Sequence, residues 1–373
     1  MKRKSISMLL AILVAVMSLA SCTGKTVERT YSVMQDPKFD AVFLDVSIED
    51  FKASGFQFGD SCSVTFSNGL TLEDIPFFSG YYVRAGMPLI VGYPGYEHIA
   101  VTRNNLGLWT EGGLTDGDTA TVTLHEAGKY RNVQDTLSQS YSNDRDDYRD
   151  DAQFSNFRAL SGGDLKGDFL YRGASPVDDQ KNRAAITDGL LEKNGIRFIL
   201  DLADAEEEFL SYQKEDGFSS SCAARLYEEG FAVLLDMGAN YSSDEFKQKL
   251  AGGLREMLSA EGPVYIHCLE GKDRTGFVCF LLEALAGASD DELRDDYMKT
   301  YENYYGITKD GSPEKYDAVV SLYFDAFAIH LRGTEQPEVP GPADRSQDAM
   351  QYLLNAGMTE SEIEALRSMI TKG

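Results

Sequence analysis

One short segment of the chain brings together a cysteine, an arginine and a glycine at a spacing that suits the chemistry of phosphate esters. The segment HCLEGKDRTG runs from His267 to Gly276 and places Cys268 six residues before Arg274. The apolar run Val264–Ile266 precedes it and a longer apolar run follows it, so we predict a buried strand, a tight loop and the start of a buried helix. Loop amides and a helix N-terminus that converge on one point bind a phosphate-sized anion.

The cysteine and the arginine have complementary roles in such a loop. Cys268 is expected to be a thiolate, because the amides, the helix dipole and a nearby cation all favour the charged form of its sulfur. The thiolate would attack phosphorus and form a phosphocysteine that water then hydrolyses. The planar guanidinium of Arg274 would hold two phosphoryl oxygens and stabilise the charge of the transition state. The segment therefore predicts a cysteine-dependent phosphatase.

This segment resembles the signature of the protein tyrosine phosphatase superfamily, in which cysteine, five residues and arginine are followed by serine or threonine. The fuller string HCxxGKDRTG resembles that of secreted bacterial tyrosine phosphatases that also act on phosphoserine, phosphothreonine and phosphoinositides. The resemblance extends from near Phe154 to the closing helices. Further segments that look like landmarks of this family are Asn156–Arg158, Leu170–Ala174, Gly195–Leu202 and Tyr352–Ile370.

The resemblance also implies roles for the neighbouring side chains. His267 would hold the thiolate and the loop by hydrogen bonds rather than act as a base, with an ordinary core histidine as the alternative. The hydroxyl of Thr275 would donate to the sulfur. Arg158 and Arg172 would be internal ion-pair partners rather than substrate ligands. The remaining loop residues, which would surround the phosphate of the substrate, are Leu269, Glu270, Gly271 and Lys272.

The alcohol or phenol that leaves in the first step needs a proton, so a general acid must lie within reach. In the subgroup that this chain resembles, the aspartate next to the arginine serves, which here is Asp273; the alternative is that Asp273 only orients Arg274. Asp201 is a rival acid, because it ends the predicted strand Phe198–Leu200 on the same edge of the sheet. In the family an arginine stands two residues past this aspartate, whereas Ala203 stands there in this chain.

The histidines and cysteines predict neither a metal site nor a cofactor. The four histidines are scattered, and no Cys/His cluster has the spacing of a zinc site. Cys279 lies in an apolar helical run and is expected to be inert core. Cys62 and Cys222 would be able to pair in an oxidising compartment, which spacing alone does not decide.

The N-terminus has the features of an export signal. The first 22 residues combine a cationic start, Lys2–Lys4, with an apolar stretch, Met8–Leu19, that is too short to span a membrane comfortably. The string LASC ending at Cys22 resembles the bacterial lipoprotein processing box. We therefore predict lipidation of Cys22 and anchoring to the outer face of a bacterial membrane, with plain secretion as the alternative. Residues 23–38 are polar and are predicted to be a tether.

Residues 39–140 are predicted to form a small accessory β-rich domain, either a barrel or a sandwich. Thr119–Leu124 alternates apolar and polar side chains, and Asn68-Gly69 between two apolar runs is a strong hairpin signal. The charged stretch at 142–151 marks the end of this domain and is expected to be a solvated linker or an exposed helix.

Residues 152–373 are predicted to form the catalytic domain, an α/β fold whose central, mostly parallel sheet is flanked by helices. Buried strands are expected at Phe198–Leu200, Phe231–Leu235 and Val264–Ile266, with helices between them. From Asp290 the chain is expected to be helical, with a break around Pro337–Pro342.

The leading hypothesis is a metal-free phosphomonoesterase that acts on phosphotyrosine in proteins. A phosphoinositide or inositol-polyphosphate phosphatase is the first alternative, because Lys272 would supply a second cation beside the phosphate. A non-catalytic phosphate-binding surface module and a sulfur-transfer enzyme are further alternatives. The formal net charge of −25 argues against a nucleic-acid partner. The sequence does not identify the partner of the β-rich domain.

Overall fold

The computed structural model describes residues 27–36, 40–84, 86–104, 107–333 and 345–372. The predicted signal peptide with Cys22 and the predicted helix break at Pro337–Pro342 lie outside these ranges. No helix within them is both long and apolar enough to cross a membrane.

The N-terminal part is a barrel closed by seven strands. Its strands are β1 (Glu28–Gln35), β2 (Val42–Leu44), β3 (Ser61–Phe66), β4 (Thr71–Phe78), β5 (Pro88–Val91), β6 (Ile99–Arg103) and β7 (Thr119–Glu126), with helices α1 (Ile48–Ala53) and α2 (Arg131–Leu137). The order around the barrel is β1-β2-β6-β5-β4-β3-β7, and β4 pairs in parallel with β5 while the other pairs are antiparallel. The β-rich prediction is confirmed, and the architecture is the barrel.

Local sequence explains several of these strands. The predicted hairpin at Asn68-Gly69 is confirmed between β3 and β4, and Gly69 has a φ of 96°, which favours glycine. Alternate side chains of β3 and β7 point inward, so that Val64 and Val122 are fully buried in the barrel core. The inward-facing apolar side chains therefore fill the interior of the barrel.

The prediction of a tether over residues 23–38 differs from the structure where the structure describes this segment, because residues 28–35 form strand β1. Val33 is buried in the barrel core, whereas the first three residues of the strand are exposed. The sequence does not predict this strand, because a single buried side chain among polar neighbours gives little alternation of apolar and polar residues. Its backbone is held instead by antiparallel pairing with β2 and β7, which are distant in sequence.

The C-terminal part contains a five-stranded sheet in the order β11-β10-β12-β9-β8. Its strands are β8 (Arg158–Ala159), β9 (Leu170–Gly173), β10 (Phe198–Asp201), β11 (Ala232–Leu234) and β12 (Val264–His267). The pairings are parallel except for that of β8 with β9. The expected strands are all present, although β11 lies at the edge and is half-buried rather than buried.

Helices cover both faces of this sheet. They are α3 (Asp151–Phe154), α4 (Ala184–Lys193), α5 (Glu206–Tyr212), α6 (Ser221–Glu228), α7 (Asp244–Met257), α8 (Arg274–Leu285), α9 (Asp290–Tyr305), α10 (Pro313–Val319), α11 (Asp325–Arg332), α12 (Arg345–Asn355) and α13 (Glu360–Ile370). A single π-helical turn, Val320–Phe324, joins α10 to α11. Helix α8 packs with α7 and α12 against one face of the sheet, and α4 and α6 cover the other.

The charged stretch at 142–151 is solvated along much of its length, as predicted for a linker, because Asp144, Asp146, Asp147 and Arg149 are exposed, but it is anchored at one point. It contains a 3-10 turn, Arg145–Asp147, and its Tyr148 is only 8% exposed. The ring of Tyr148 contacts Phe154 at 5.1 Å and its hydroxyl accepts a hydrogen bond from Arg183. Aromatic and cation–π contacts therefore hold a mostly charged sequence against the C-terminal part.

The possible disulfide between Cys62 and Cys222 is not formed, and both thiols are free and buried. Cys62 lies in the barrel core, whereas Cys222 lies in α6 against the sheet of the C-terminal part. Two thiols in separate hydrophobic cores cannot approach within bonding distance.

Candidate active site

The segment with the cysteine and the arginine forms the loop between β12 and α8. Strand β12 is the central strand of the sheet, and the loop leaves its carboxyl end. This is the edge where open α/β sheets bind ligands. Residues 268–275 are called the catalytic loop below.

Side chains and one backbone amide from distant parts of the chain hold the carbonyl oxygens of the catalytic loop. The oxygen of Leu269 accepts from the amide of Ser175 at 3.0 Å, and that of Glu270 accepts from the hydroxyl of Tyr304 at 2.8 Å. The oxygen of Gly271 accepts from Arg172 at 2.8 Å and from Asn156 at 3.1 Å. These bonds fix the direction of the peptide units in the loop.

Gly271 is required at its position by backbone conformation and by space. Its φ is 65°, in the left-handed region that favours glycine. A Cβ atom there would lie 2.2 Å from the carbonyl oxygen of Gly173 in β9. The loop therefore packs directly on the neighbouring strand, and any larger residue would push it away.

The backbone N–H groups of the loop are left available for an anion. Within the described ranges, none of the N–H groups of residues 269–275 donates to a protein acceptor. The loop leads into the N-terminus of α8, whose dipole adds partial positive charge. A loop that keeps its carbonyls bonded and its amides unbonded is suited to bind a phosphate group.

The two reactive side chains stand at the ends of the loop. Cys268 is the first residue after β12 and is 3% exposed. Arg274 is the first residue of α8, and its Nη1 donates to the carbonyl oxygen of Met237 at 2.9 Å. This bond holds one arm of the guanidinium against the segment that follows β11 and so restricts its orientation.

Burial keeps the imidazole of His267 neutral. The side chain is 1% exposed, and burial lowers the pKa of His267 to about 4. Its Nε2 lies 3.8 Å from Oδ2 of Asp201. A neutral buried ring of this kind can orient its neighbours but is a poor base at neutral pH. The hydroxyl of Thr275 is buried in the first turn of α8 and has no hydrogen-bond partner among the described residues.

The two candidate acids occupy different environments. Asp273 is the N-cap residue of α8, and its side chain is 49% exposed. Asp201 is 1% exposed, accepts hydrogen bonds from the amides of Ala203 and Asp204, and has a pKa raised by burial to about 6. Asp273 therefore faces solvent at the loop, whereas Asp201 lies beneath it.

Lys272 is an ion-pair partner within the loop. Its Nζ lies 3.1 Å from Glu270 and 3.8 Å from Asp273, and it donates to the hydroxyl of Tyr305 at 3.5 Å. Burial alone would lower the pKa of Lys272, but the charges of Asp273 and Glu270 outweigh it and raise that pKa. Its charge is therefore partly balanced before any substrate arrives.

Arg158 and Arg172 are internal ion-pair partners, as predicted. Both guanidinium groups bind Asp296 of α9, with N–O distances of 2.7 Å and 2.5 Å. Asn156, which belongs to the segment Asn156–Arg158 that resembles a family landmark, bonds to the carbonyl oxygen of Gly271 and is fully buried. These residues support the catalytic loop from behind.

Two tyrosines at the loop had no signal in the sequence. Tyr141 donates a hydrogen bond to Oε1 of Glu270, and its ring stacks on Tyr304 with a centroid separation of 4.6 Å. Both are far from the loop in sequence, and neither stands in a motif that indicates chemistry. Only the fold brings them there. Among the described residues, no group of three or more His, Cys, Asp or Glu side chains is arranged to hold a metal ion.

Comparison with known proteins places the C-terminal part in a family. The family model described as "Tyrosine phosphatase family" matches residues 149–372. A tyrosine-protein phosphatase of Nostoc commune is 32% identical over 128 residues, which cover 34% of this chain and 36% of that protein. The triple specificity protein phosphatase PtpB of Mycobacterium tuberculosis is 32% identical over 76 residues, which cover 18% of this chain and 28% of that protein.

The matched regions thus span about a third of the length of these curated relatives. A solved structure of P. aeruginosa TpbA in complex with pTyr aligns with a TM-score of 0.26 and 16% identity, covering 46% of this chain and 92% of that one. The family model covers more than half of the chain and includes the whole catalytic loop. The chain therefore belongs to the tyrosine phosphatase family.

Proposed function

We propose that this protein is a cysteine-dependent phosphomonoester hydrolase of the protein tyrosine phosphatase type. The observation that carries the proposal is the catalytic loop itself, where unbonded amides lie between Cys268 and Arg274. Family membership supports phosphatase activity. The steps, the site residues and the substrate described below are part of the proposal.

In the first step the thiolate of Cys268 attacks phosphorus in line with the leaving oxygen. The S–P bond forms as the P–O bond to the leaving group breaks, and a general acid gives that oxygen its proton. Arg274 and the loop amides bind the three remaining phosphoryl oxygens, whose charge is greatest in the transition state.

In the second step water attacks phosphorus and the S–P bond breaks. The group that gave up its proton now takes one from the water, and inorganic phosphate leaves. Thr275 donates its hydroxyl to the departing sulfur, since that hydroxyl is buried in the first turn of α8 without another partner in the described structure. Negative charge on the sulfur is thereby stabilised.

Asp273 is the proposed acid. Its exposed carboxyl group at the start of α8 can reach an oxygen in the mouth of the site without rearrangement. Asp201 accepts two amide hydrogen bonds beneath the loop and would have to give up these bonds to move outward. We assign Asp201 to positioning His267 and the end of β10.

Phosphotyrosine in proteins is the proposed substrate, in line with the name of the Nostoc relative. Phosphoinositides are the second candidate, because the PtpB relative is named for triple specificity and Lys272 lies in the loop. The ion pair of Lys272 with Glu270 weakens this second candidate. A purely phosphate-binding module has less support, because nucleophile, arginine, hydroxyl and acid all lie in one loop.

Export and lipid anchoring at Cys22 are proposed from the sequence alone, together with the division into accessory and catalytic domains. The prediction for Cys22 is that a Cys22→Ser variant moves from the membrane fraction to the soluble exported fraction. Retention of that variant in the membrane would contradict lipidation.

The test of catalysis is hydrolysis of p-nitrophenyl phosphate by the purified protein. We expect turnover that vanadate inhibits and EDTA does not, and its loss in Cys268→Ser. The exposed Phe231→Ala variant, which changes a residue outside the loop, serves as the control. Turnover that persists in Cys268→Ser would contradict the proposal.

A further inference from the structure

A cleft lies between the barrel and the C-terminal part of the molecule. Its volume is about 530 Å³, in the range of ligand-binding pockets. The barrel contributes one wall and the end of α10 with the π-helical turn contributes the other. The main apolar side chains that line it are Ile75, Phe78, Tyr82, Met87, Ala318 and Leu322.

Polar contacts across the cleft hold its walls together. Arg84 of the barrel segment between β4 and β5 donates to the carbonyl oxygen of Ser321 at 2.9 Å and 2.8 Å. On the neighbouring helix pair, Asn132 of α2 donates to Glu314 of α10 at 2.8 Å. The two walls are therefore fixed relative to one another, and the cleft is formed in advance of any ligand.

The π-helical turn connects the cleft to the catalytic loop. Ser321 and Leu322 line the cleft. The ring of the next residue, Tyr323, stacks with that of Tyr301, with 6.3 Å between the ring centroids. Tyr301 in turn stacks on Tyr305, with 5.4 Å between the ring centroids, and the hydroxyl of Tyr305 accepts a hydrogen bond from Lys272 of the loop. Single π-helical turns are rare and occur frequently at functional sites. Here a chain of ring contacts runs from the turn to Lys272 in the catalytic loop.

The charge of the cleft favours a peptide over a lipid surface. Glu73, Asp74 and Arg84 line it, but Asp74 pairs with Lys129 and Arg84 pairs with Asp325. Glu73 is exposed and forms no ion pair with a described residue, so the negative charge of the rim is that of Glu73. The whole chain carries a formal charge of −25, which repels an anionic membrane. Apolar walls beside a negative rim complement a peptide with a large apolar side chain next to a basic one.

We propose that this cleft binds the residues that flank the phosphorylated side chain of a protein substrate. The phosphoryl group would lie in the catalytic loop while an apolar flanking side chain enters the cleft between Met87 and Leu322. The barrel would thus select substrates by sequence. This proposal rests on the proposed phosphatase function and names its substrate class.

The test compares two phosphotyrosyl peptides with the full chain, one carrying leucine and arginine beside the phosphotyrosine and one carrying alanine there. We expect kcat/KM to favour the first by about tenfold, the discrimination typical of one apolar pocket. In Met87→Glu this preference should disappear, because a carboxylate replaces an apolar side chain that is 43% exposed on the cleft wall. Phe231→Ala removes a similarly exposed apolar side chain elsewhere (40% exposed) and should keep the preference.

Fluorescence anisotropy measures the affinity of full-length Cys268→Ser for both peptides, and so tests binding to the cleft without turnover. Equal affinities for the two peptides, or a preference that Met87→Glu keeps, would overturn the proposal. The proposal would also be overturned in favour of a lipid ligand if the affinity for a phosphoinositide depends on its acyl length and on Met87, while the affinities for both peptides do not change in Met87→Glu. If the wild-type protein does not hydrolyse p-nitrophenyl phosphate but Cys268→Ser still binds the first peptide more tightly, the result contradicts the proposed function and not the proposed role of the cleft.

Discussion

Besides Glu270, the carboxyl groups of Asp273, Asp201 and Asp204 lie at or near the catalytic loop, and burial separates their chemical behaviour. Asp273 is half exposed at the start of α8, whereas Asp201 and Asp204 are buried next to His267. Burial raises the pKa of Asp201 to about 6, and burial with the charge of Asp201 raises that of Asp204 to about 8. At neutral pH Asp204 therefore carries a proton while remaining inside the protein.

The role of Asp273 predicts a dependence on the leaving group. In Asp273→Asn, kcat for phenyl phosphate should fall by about a hundredfold, because phenol leaves poorly without a proton. For p-nitrophenyl phosphate, whose phenolate leaves easily, the decrease should be much smaller. Steady-state kinetics with both substrates gives this comparison.

Asp201→Asn is the matched variant for this prediction. It should lower kcat for both substrates by a similar factor, because Asp201 positions His267 rather than protonating the leaving group. If the leaving-group effect appears in Asp201→Asn and not in Asp273→Asn, the two assignments are reversed.

The buried proton of Asp204 predicts how stability changes with pH. The pKa of Asp204 rises from its ordinary value of 3.8 to about 8 in the folded protein. Its contribution to stability is therefore complete below about pH 4 and is lost as the pH rises to about 8. Between pH 6.5 and 8 the free energy of unfolding should fall by up to about 1.4 kcal/mol per pH unit through this group.

Asp204→Asn should remove this part of the pH dependence, which urea unfolding at several pH values between 6.5 and 8 would detect. The depressed pKa of His267 acts mainly at and below pH 6.5 and in the opposite direction. Burial also raises the pKa of Glu283, so the part due to Asp204 is the difference between the slopes of the wild type and Asp204→Asn. The exposed Asp216→Asn serves as the control. An unchanged slope in Asp204→Asn would show that Asp204 is ionised in the folded protein.

At the scale of elements, the catalytic loop depends on segments outside the strand and the helix that it joins. Asn156, Arg172 and Tyr304 hold its carbonyl oxygens, and they come from the segment before β8, from β9 and from α9. Tyr141 comes from the segment that links the barrel to the C-terminal part and lies before the residues matched by the family model. The linking segment thus forms part of the support of the site.

Tyr141→Phe tests this support. Its ring would keep the stack on Tyr304, but Glu270 would lose the hydroxyl that donates to it. We expect kcat/KM to fall by about three- to tenfold, the effect of one hydrogen bond of ordinary net strength. The inhibition constant for inorganic phosphate should rise by a similar factor, because the loop that holds the phosphate is less fixed.

Tyr148→Phe is the control for this prediction, because it removes a hydroxyl from the same segment that bonds to Ser142 and Arg183 and not to the loop. Equal effects of the two variants on phosphate inhibition would mean that the segment acts through folding alone.

At the scale of the whole molecule, the barrel and the C-terminal part have separate cores joined by polar contacts and by packing of Leu137 of α2 against the C-terminal core. Each core contains at least one buried cysteine, and the described cysteines are all free. Stability therefore depends on hydrophobic burial and packing in each core, and not on a covalent link between the two parts.

This arrangement predicts that a reducing agent leaves stability unchanged. The Tm of the purified protein, measured by calorimetry with and without dithiothreitol, should be the same within error, because the four described cysteines form no disulfide that would constrain the unfolded chain. Mass spectrometry after alkylation of the denatured, unreduced protein provides the control count of free thiols. A lower Tm with dithiothreitol would reveal a disulfide.

The chemistry of the catalytic loop was predictable from the sequence because its functional residues are neighbours in the chain. The apolar runs around HCLEGKDRTG require a buried strand and a buried helix, and Gly271 is the residue that the turn between them needs. The hairpin at Asn68-Gly69 was predictable for the same reason. Local pattern determines such features wherever a few consecutive residues satisfy them.

Tertiary structure alone decided what surrounds that loop. The bond of Tyr141 to Glu270 and the bond of Tyr304 to the loop backbone join residues that are far apart in sequence. Strand β1 and the cleft between the barrel and α10 likewise depend on pairing and packing across the chain. Burial, which neutralises His267 and protonates Asp204, is a property of the whole fold, because it depends on every element that excludes water from the site.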